Sequence, residues 1–271
     1  MIISVDNVAD PRLDPFRWKD RQLASRLDRL EAVGAGLFVA EGDLVVERAL
    51  HTGAEPIALL CDNTMAEAFS TRVPNSVDIF VATEDLRREV TGLGVPLRAT
   101  GLFRRPPLLS PDDLMAQCTR VVVAEAVDNP TNLGAIIRSA AALGWDGILL
   151  SSGSSDPLAR RALRVSMGAG LILPFARLLP DDSLDALFLH HGYTSYALTP
   201  ATAAVNISDI DTRNVARMAL MLGSERNGLT SETLTTAHHQ LRIPMHAGVD
   251  SLNVGAAAAI AMQLLGPNSA L

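Results

Sequence analysis

Short apolar runs alternate with helical patterns along most of the chain, and this alternation restricts the fold more than any other feature of the sequence. Residues 121–127, 147–151 and 193–198 are apolar enough to form buried strands. Residues 131–143 and 182–191, which lie between them, have the length and spacing of helices. Strands that alternate with helices build mainly parallel sheets with helices on both faces. The sequence therefore predicts an α/β fold. The same patterns predict further strands at 171–175 and 216–222 and further helices at 157–168 and 231–238.

A proline-rich run interrupts the alternation and divides the chain into two domains. Residues 101–113 contain three prolines, a serine and an arginine pair, a composition typical of a linker. We place the first domain at 1–107, the linker at 108–117 and the second domain at 118–271. The first domain has the pattern of a small α/β/α unit with a mainly parallel sheet, and its first helix is predicted over residues 16–33.

Composition argues against a membrane protein and against a metal site. Of the 271 residues, 48% are hydrophobic, yet no run is long and uncharged enough to span a bilayer. The N-terminus lacks the pattern of a secretory signal. Cys61 and Cys118 show no metal-ligand or redox spacing, which indicates buried thiols in a reducing compartment, so we expect a cytoplasmic protein. The adjacent histidines His190 and His191 should point apart, and we predict no metal site.

The charge distribution leaves two interpretations open. The formal net charge is -7, which disfavours a large nonspecific nucleic-acid surface because phosphate neutralisation needs clustered cations. Basic residues nevertheless cluster at Arg12, Arg17, Lys19, Arg21, Arg26 and Arg29, at Arg104 and Arg105, and at Arg160, Arg161 and Arg164. Such arginines could bind phosphates. They could equally form solvated helix faces with ion pairs to Asp20, Asp28 and Glu31.

Three segments of the second domain place polar side chains beside turns or helix starts. The first, residues 124–144, reads AEAVDNPTNLGAIIRSAAALG and carries Asn132 and Arg138 on a helix that begins near Pro130. The second, residues 221–230, reads MLGSERNGLT and holds Glu225 in a glycine-flanked turn. The third, residues 241–265, combines a short strand, a polar loop and a helix for which we predict Ser251 as the N-cap. Taken singly, each segment has a structural explanation as a cap, a surface charge or a solvated turn.

Taken in order, these three segments resemble the motifs of the SpoU/TrmH-type RNA ribose 2'-O-methyltransferases, a family of the SPOUT superfamily. The resemblance implies a C-terminal SPOUT α/β domain with a deep trefoil knot, preceded by a small L30e-like α/β/α domain that binds RNA. It implies an enzyme that uses S-adenosylmethionine to methylate a ribose 2'-hydroxyl in rRNA or tRNA, and that works as a homodimer with its active site completed at the dimer interface.

The resemblance also assigns site residues. The family's active-site positions correspond to Asn132, Arg138, Glu225, Ser251 and Asn253. Its cofactor-binding positions correspond to Thr199, Pro200, Leu222, Gly223, Ser224, Gly228, Ile243, Met245, Ser251 and Leu252. The second motif departs from the commoner pattern, which has asparagine at the position of Ser224 and often glycine at the position of Arg226.

The chemistry of a ribose hydroxyl suggests the role of the arginine. A guanidinium stays protonated, so we expect Arg138 to bind the phosphate beside the target ribose and to stabilise the developing alkoxide. Ser251 and Asn253 would orient the hydroxyl and the methyl donor. Two alternatives remain: a knotted protein that binds S-adenosylmethionine and RNA without catalysis, and a methyltransferase that acts on a base or a small molecule. The polar set disfavours the first, and the ribose-type motifs disfavour the second.

Overall fold

The computed structural model describes residues 1–24, 36–95 and 97–267, which form two compact units. The first unit is built from Met1–Pro107 together with Leu158–Leu171, and the second from Leu108–Pro157 together with Ile172–Leu271. This division differs from the predicted domains because a short segment of the second half of the chain, Leu158–Leu171, belongs to the first unit.

The first unit is a mixed five-stranded sheet packed with helices. Its strands are β1 (Ile2–Ser4), β2 (Leu37–Glu41), β3 (Pro56–Cys61), β4 (Asp78–Val81) and β5 (Ala99–Arg104), in the order β1-β4-β3-β5-β2. Its helices are α1 (Asp14–Arg17), α2 (Asp20–Leu23), α3 (Asp43–His51), α4 (Asn63–Ser70), α5 (Glu84–Thr91) and α8 (Arg160–Val165). Strands β1, β4 and β3 are parallel, whereas β5 is antiparallel to both β3 and β2. The prediction of a mainly parallel sheet is therefore wrong for this unit, because residues 101–104 form part of an interior strand and not of a linker.

The N-terminal helix also differs from its prediction. Two short helices, α1 and α2, are separated by Trp18 and Lys19, whose backbones are extended. Residues 25–35, with Arg26, Arg29 and their suggested acidic partners, lie outside the described residues.

Two arginines of the basic clusters form buried contacts inside the first unit. The side chain of Glu41 at the end of β2 is fully buried and forms ion pairs with Arg160 and Arg164 of α8. The Arg160 guanidinium also donates to the main-chain oxygen of Trp18 at 3.1 Å. Arg161 is the exposed member of this group. These contacts show that Arg160 and Arg164 stabilise the unit from within and do not form a free cationic face.

The second unit contains a seven-stranded sheet in which every pairing is parallel. Its strands are β6 (Arg120–Ala124), β7 (Gly147–Leu150), β8 (Phe175–Arg177), β9 (Thr194–Leu198), β10 (Val205–Asn206), β11 (Met218–Leu222) and β12 (His239–Arg242), in the order β10-β12-β9-β11-β6-β7-β8. Its helices are α6 (Pro111–Gln117), α7 (Pro130–Ala142), α9 (Leu184–His191), α10 (Ser231–Thr236) and α11 (Val254–Leu265). The predicted α/β fold with a parallel sheet is confirmed here.

Two local predictions for the second unit are wrong. The predicted linker at 108–117 contains α6, which is capped by Ser110 and buries Leu114 and Met115 in the core of the unit. The strand predicted at 171–175 lies further along the chain, at β8, and a short 3₁₀ turn at Ala169–Leu171 precedes it. In the part of the chain that the structure describes, no helix is long and apolar enough to cross a membrane.

Candidate functional site

A cleft of about 630 Å³ opens at the carboxyl ends of neighbouring strands in the second unit. Its walls are the segments that follow β9, β11 and β12, together with the start of α11. Ligands of open parallel sheets bind in the crevice outside the carboxyl ends of the strands. The volume also falls within the range of about 300–1,000 Å³ that is usual for small-molecule pockets. The position and size of the cleft indicate a ligand site.

The loop after β11 owes its shape to two glycines. The main-chain N–H of Ser224 donates to Gly228 at 3.2 Å, and the N–H of Gly228 donates back to Ser224 at 2.9 Å. A Cβ atom on Gly223 would lie only 2.1 Å from the Gly228 carbonyl carbon, so no side chain fits there. Gly228 has a φ of +68°, in the left-handed region that favours glycine. The resulting tight turn exposes residues 225–227 at the edge of the cleft.

Three side chains from distant segments meet at this turn. Asn132 in α7 donates from Nδ2 to Oε1 of Glu225. Asn253 donates from Nδ2 to Oδ1 of Asn132 at 3.0 Å and to Oε1 of Glu225 at 3.1 Å. Asn132 is buried, with 6% of its surface exposed. The structure thus brings three of the predicted active-site residues into one hydrogen-bonded triangle, which we call the polar triangle.

The start of α11 fixes one corner of the polar triangle. Asn253 is the N-cap, and its Oδ1 accepts the N–H groups of Gly255 at 2.9 Å and Ala256 at 3.4 Å. The prediction that Ser251 caps this helix is therefore wrong; Ser251 lies two residues before the cap and lines the cleft. Because the cap holds Oδ1, the amide nitrogen of Asn253 is left to face Asn132 and Glu225.

Nine of the ten predicted cofactor residues line the cleft. The exception is Leu222, which is 1% exposed and pairs with Ala124 of β6 inside the sheet. Leu222 is the last residue of β11, so its side chain belongs to the core of the sheet, and the wall of the cleft begins one residue later.

Arg138 stands apart from the polar triangle. It is exposed on α7, does not line the cleft and makes no hydrogen bond or ion pair within the described part of the chain. Asn132 and Arg138 are six positions apart, which places them about 120° apart around a helix of 3.6 residues per turn. Asn132 therefore lies on the buried face of α7, whereas Arg138 lies on an exposed face and is not part of the lining of the cleft of its own chain.

Glu125 supports the same loop and was not predicted. Its carboxylate accepts the N–H of Thr230 at 2.8 Å and the hydroxyl of Thr233 at 2.5 Å, while its own N–H donates to Leu222 at 2.8 Å. Glu125 thereby ties the end of the loop and the start of α10 to β6. The sequence feature that could have indicated this role is an acidic residue directly after a buried apolar strand.

Two other groups of reactive side chains lie away from the cleft. The ligand atoms of Asp112, His190 and His191 all lie within 4.8 Å of one another and could hold a metal ion. The expectation that the two histidines point apart is wrong, because their rings pack edge to face with centroids 4.6 Å apart. Burial raises the pKa of Cys61 to about 12 and that of Cys118 to about 11, so neither thiol ionises near neutral pH.

Comparisons with known proteins agree on one family. The pattern of the SpoU rRNA Methylase family matches residues 119–263. An uncharacterized tRNA/rRNA methyltransferase of Mycobacterium bovis is 37% identical over 254 residues, which cover 93% of this chain and 87% of that protein. The 23S rRNA (guanosine(2553)-2'-O)-methyltransferase of Bacillus subtilis is 27% identical, with coverage of 85% and 88%.

Comparison of the structure with solved structures gives the same family. The crystal structure of an AdoMet-bound rRNA methyltransferase from Sinorhizobium meliloti superposes with a TM-score of 0.80 at 25% identity, covering 100% of this chain and 99% of that chain. The family pattern extends over more than half of the chain, and the mycobacterial relative matches nearly all of it. The chain therefore belongs to the SpoU rRNA methylase family of RNA methyltransferases.

Proposed function

We propose that this protein transfers a methyl group from S-adenosylmethionine to a ribose 2'-hydroxyl of rRNA or tRNA. The observation that carries this proposal is the polar triangle of Asn132, Glu225 and Asn253 at the edge of the cleft. The name of the Bacillus relative specifies 2'-O-methylation, and the Sinorhizobium structure holds AdoMet. Both support the proposal.

The cleft has the composition that S-adenosylmethionine requires. Leu198, Ile243 and Met245 supply apolar surface for the adenine ring, and the turn at 223–228 supplies main-chain polar groups. When bound, this cofactor supplies a methyl group on a positively charged sulfur. The Glu225 carboxylate lines the same cleft and offers a negative charge for that sulfonium.

The polar triangle orients the reacting groups. Two amide hydrogen bonds hold Oε1 of Glu225, which leaves Oε2 to accept the ribose hydroxyl. Ser251, in the wall of the cleft, helps to align that hydroxyl. As the 2'-oxygen bonds to the methyl carbon, the carbon–sulfur bond breaks with its electron pair on sulfur. The hydroxyl proton leaves along its hydrogen bond to Oε2, and water or a phosphate oxygen finally takes it up.

Arg138 acts through a homodimer in this proposal. The arginine is exposed and does not line the cleft of its own chain, and α11 exposes Ile260 and Leu264 at 38% and 43% of their surface. The two side chains are four positions apart and so share one face of the helix, where a subunit contact would bury them together. We propose that Arg138 of one copy reaches the cleft of the other, where it binds the phosphate beside the target ribose and stabilises the developing negative charge.

The remaining parts of the proposal concern the two domains. The C-terminal segment threads into a trefoil knot; the adjacency of β9, β11 and β12, whose following loops all line one cleft, is compatible with this threading. The first domain, residues 1–107, is an L30e-like unit that binds structured RNA, for which Arg21 offers an exposed cation. The enzyme works in the cytoplasm, where rRNA and tRNA are found.

The role of the polar triangle is tested by Asn132→Ala. We expect the rate of methyl transfer to fall about 10²- to 10³-fold, as it does when a positioned polar group is removed from a reacting centre. The affinity for S-adenosylmethionine should change little, because Asn132 does not line the cleft. Single-turnover kinetics and calorimetry measure the two quantities. The matched control is Thr131→Ala, because the Thr131 side chain makes no hydrogen bond in the described part of the chain. An Asn132→Ala enzyme that transfers the methyl group as fast as this control would contradict the proposal.

A further inference from the structure

A second cavity adjoins the cleft. Its volume is about 510 Å³, also within the range of about 300–1,000 Å³ that small-molecule pockets occupy. One wall is the turn at 224–227, which the two cavities share. The opposite wall is formed by the residues after β6, including Ala126 and Asp128, and by Gly153. Glu225, in the shared wall, therefore borders both cavities.

The opposite wall is held rigidly by buried polar contacts. Ser154 donates from its hydroxyl to the main-chain oxygen of Ala124 at 2.7 Å and accepts the N–H of Val127 at 3.2 Å. Arg177 is 7% exposed and donates to the main-chain oxygens of Ser151 and Ser154, both at 2.9 Å. These bonds join the loop at 151–155 to the loop at 124–127. The cavity is thus formed by the fold itself and does not require a ligand to shape it.

The lining offers hydrogen-bonding groups that the protein does not use. The side chains of Asp128, Arg226 and Asn227 are exposed and make no hydrogen bond within the described part of the chain. Asn129 uses Oδ1 to accept the N–H of Thr131 at 2.9 Å, which leaves its amide nitrogen as a donor. The two walls together thus offer acceptors, such as the Asp128 carboxylate, and donors, such as the Asn129 amide and the Arg226 guanidinium. The edge of a nucleobase likewise carries both donors and acceptors, which such groups can bind.

We propose that this second cavity binds the base of the nucleotide whose ribose is methylated. The inference rests on the proposed ribose methylation. The base is attached to C1' of the ribose, next to C2', so a 2'-hydroxyl placed at Glu225 directs the base to one side of the shared turn. The cleft on the other side is occupied by the methyl donor. A base in the second cavity is unstacked from its neighbours, so the substrate is a nucleotide in a single-stranded or extruded position.

Gly153→Leu tests the proposal by filling the cavity. A Cβ on Gly153 would meet only Ala126, at 3.4 Å, which is an ordinary contact, and Gly153 does not line the cofactor cleft. We expect kcat/KM for RNA to fall about a hundredfold, the size of effect that misplacement of a substrate by an ångström produces. The Kd for S-adenosylmethionine should stay within about twofold of the wild-type value, which also reports that the variant is folded. The control is Ser152→Leu, which adds the same side chain at an exposed neighbour outside both cavities.

Asp128→Asn provides a second test, which does not depend on a change in the size of a side chain. The exchange replaces an acceptor by a donor, so the ratio of kcat/KM between RNAs that differ only at the target base should change about tenfold. An unchanged ratio, together with wild-type kinetics of Gly153→Leu, overturns the base-binding proposal while ribose methylation stands. Failure of the wild-type enzyme to methylate RNA overturns the proposed function itself, and this result is seen before any variant is measured.

Discussion

Gly223→Ala should lose affinity for S-adenosylmethionine by about a hundredfold, because overpacking against parts that cannot move costs up to about 3 kcal/mol. The added Cβ would lie 2.1 Å from the carbonyl carbon of Gly228 and 2.2 Å from the main-chain nitrogen of Leu229. Both are backbone atoms, so no side-chain rotation can relieve the clash. The turn at 223–228 must open, and the wall that carries Glu225 is displaced. Isothermal titration calorimetry measures the affinity directly.

Gly192→Ala is the matched control for this substitution. Gly192 is the C-cap of α9, with a φ of +69° and no atom within 4 Å of an added Cβ. The control therefore introduces backbone strain without a clash and leaves the cleft intact. Equal affinity of Gly223→Ala and the wild-type protein would show that the turn does not form the cofactor site.

Arg138→Ala should lower the turnover of RNA methylation by about 10²- to 10³-fold, because a preorganised cation is removed from the developing negative charge. The affinity for S-adenosylmethionine should not change, since Arg138 does not line the cleft of its own chain and, in the proposed dimer, contacts the RNA phosphate and not the cofactor. Arg138→Lys should recover little of the rate, because an ammonium cannot make the bidentate contact of a guanidinium with phosphate. Arg213→Ala, at an exposed arginine paired with Asp211, is the control.

The proposed dimer allows a more specific prediction for the same residue. A purified heterodimer of one Arg138→Ala chain and one Asn253→Ala chain should show about half of the wild-type activity, because one of its two symmetric sites combines both intact residues. Each homodimer should be nearly inactive. Two affinity tags allow the heterodimer to be isolated and assayed with the homodimers. A heterodimer as inactive as its parents would mean that Arg138 serves its own chain or that the two chains do not share a site.

The resemblance to family motifs, together with the predicted parallel sheet, allowed much of the lining of the cleft to be predicted from the sequence. Thr199, Gly223 and Ile243 each lie in a segment that follows a strand of one parallel sheet, and such segments meet at the same edge. The cap of α11 was harder to assign, because serine and asparagine both cap helices well. The residue that caps the helix, Asn253, is also the one that bonds to Asn132 and Glu225. These two residues are 121 and 28 positions away along the chain, so the local sequence does not show which residue is the cap.

Other features of the fold depend on contacts between distant parts of the chain, which local composition does not reveal. Residues 99–104 lie beside an arginine and proline run that is typical of a linker, yet their pairing with β2 and β3 makes them an interior strand. Arg160 and Arg164 have the charge of a surface helix. Their partner Glu41 precedes Arg160 by 119 residues, so no local pattern could reveal that the pairs are buried. The wall of the second cavity likewise depends on Arg177, which donates a hydrogen bond to the main-chain oxygen of Ser154, 23 residues earlier in the chain.

Incubation of the protein with methyl-labelled S-adenosylmethionine and unmodified rRNA or tRNA, followed by alkaline hydrolysis, tests ribose methylation most directly. A 2'-O-methyl group blocks cleavage of the adjacent phosphodiester, because the neighbouring hydroxyl is no longer free to attack the phosphorus. We expect the label in an alkali-resistant dinucleotide from one of the two RNAs. Label released only as mononucleotides would contradict ribose methylation and indicate a base as the acceptor. A protein that binds the cofactor but labels neither RNA would contradict catalysis on free RNA.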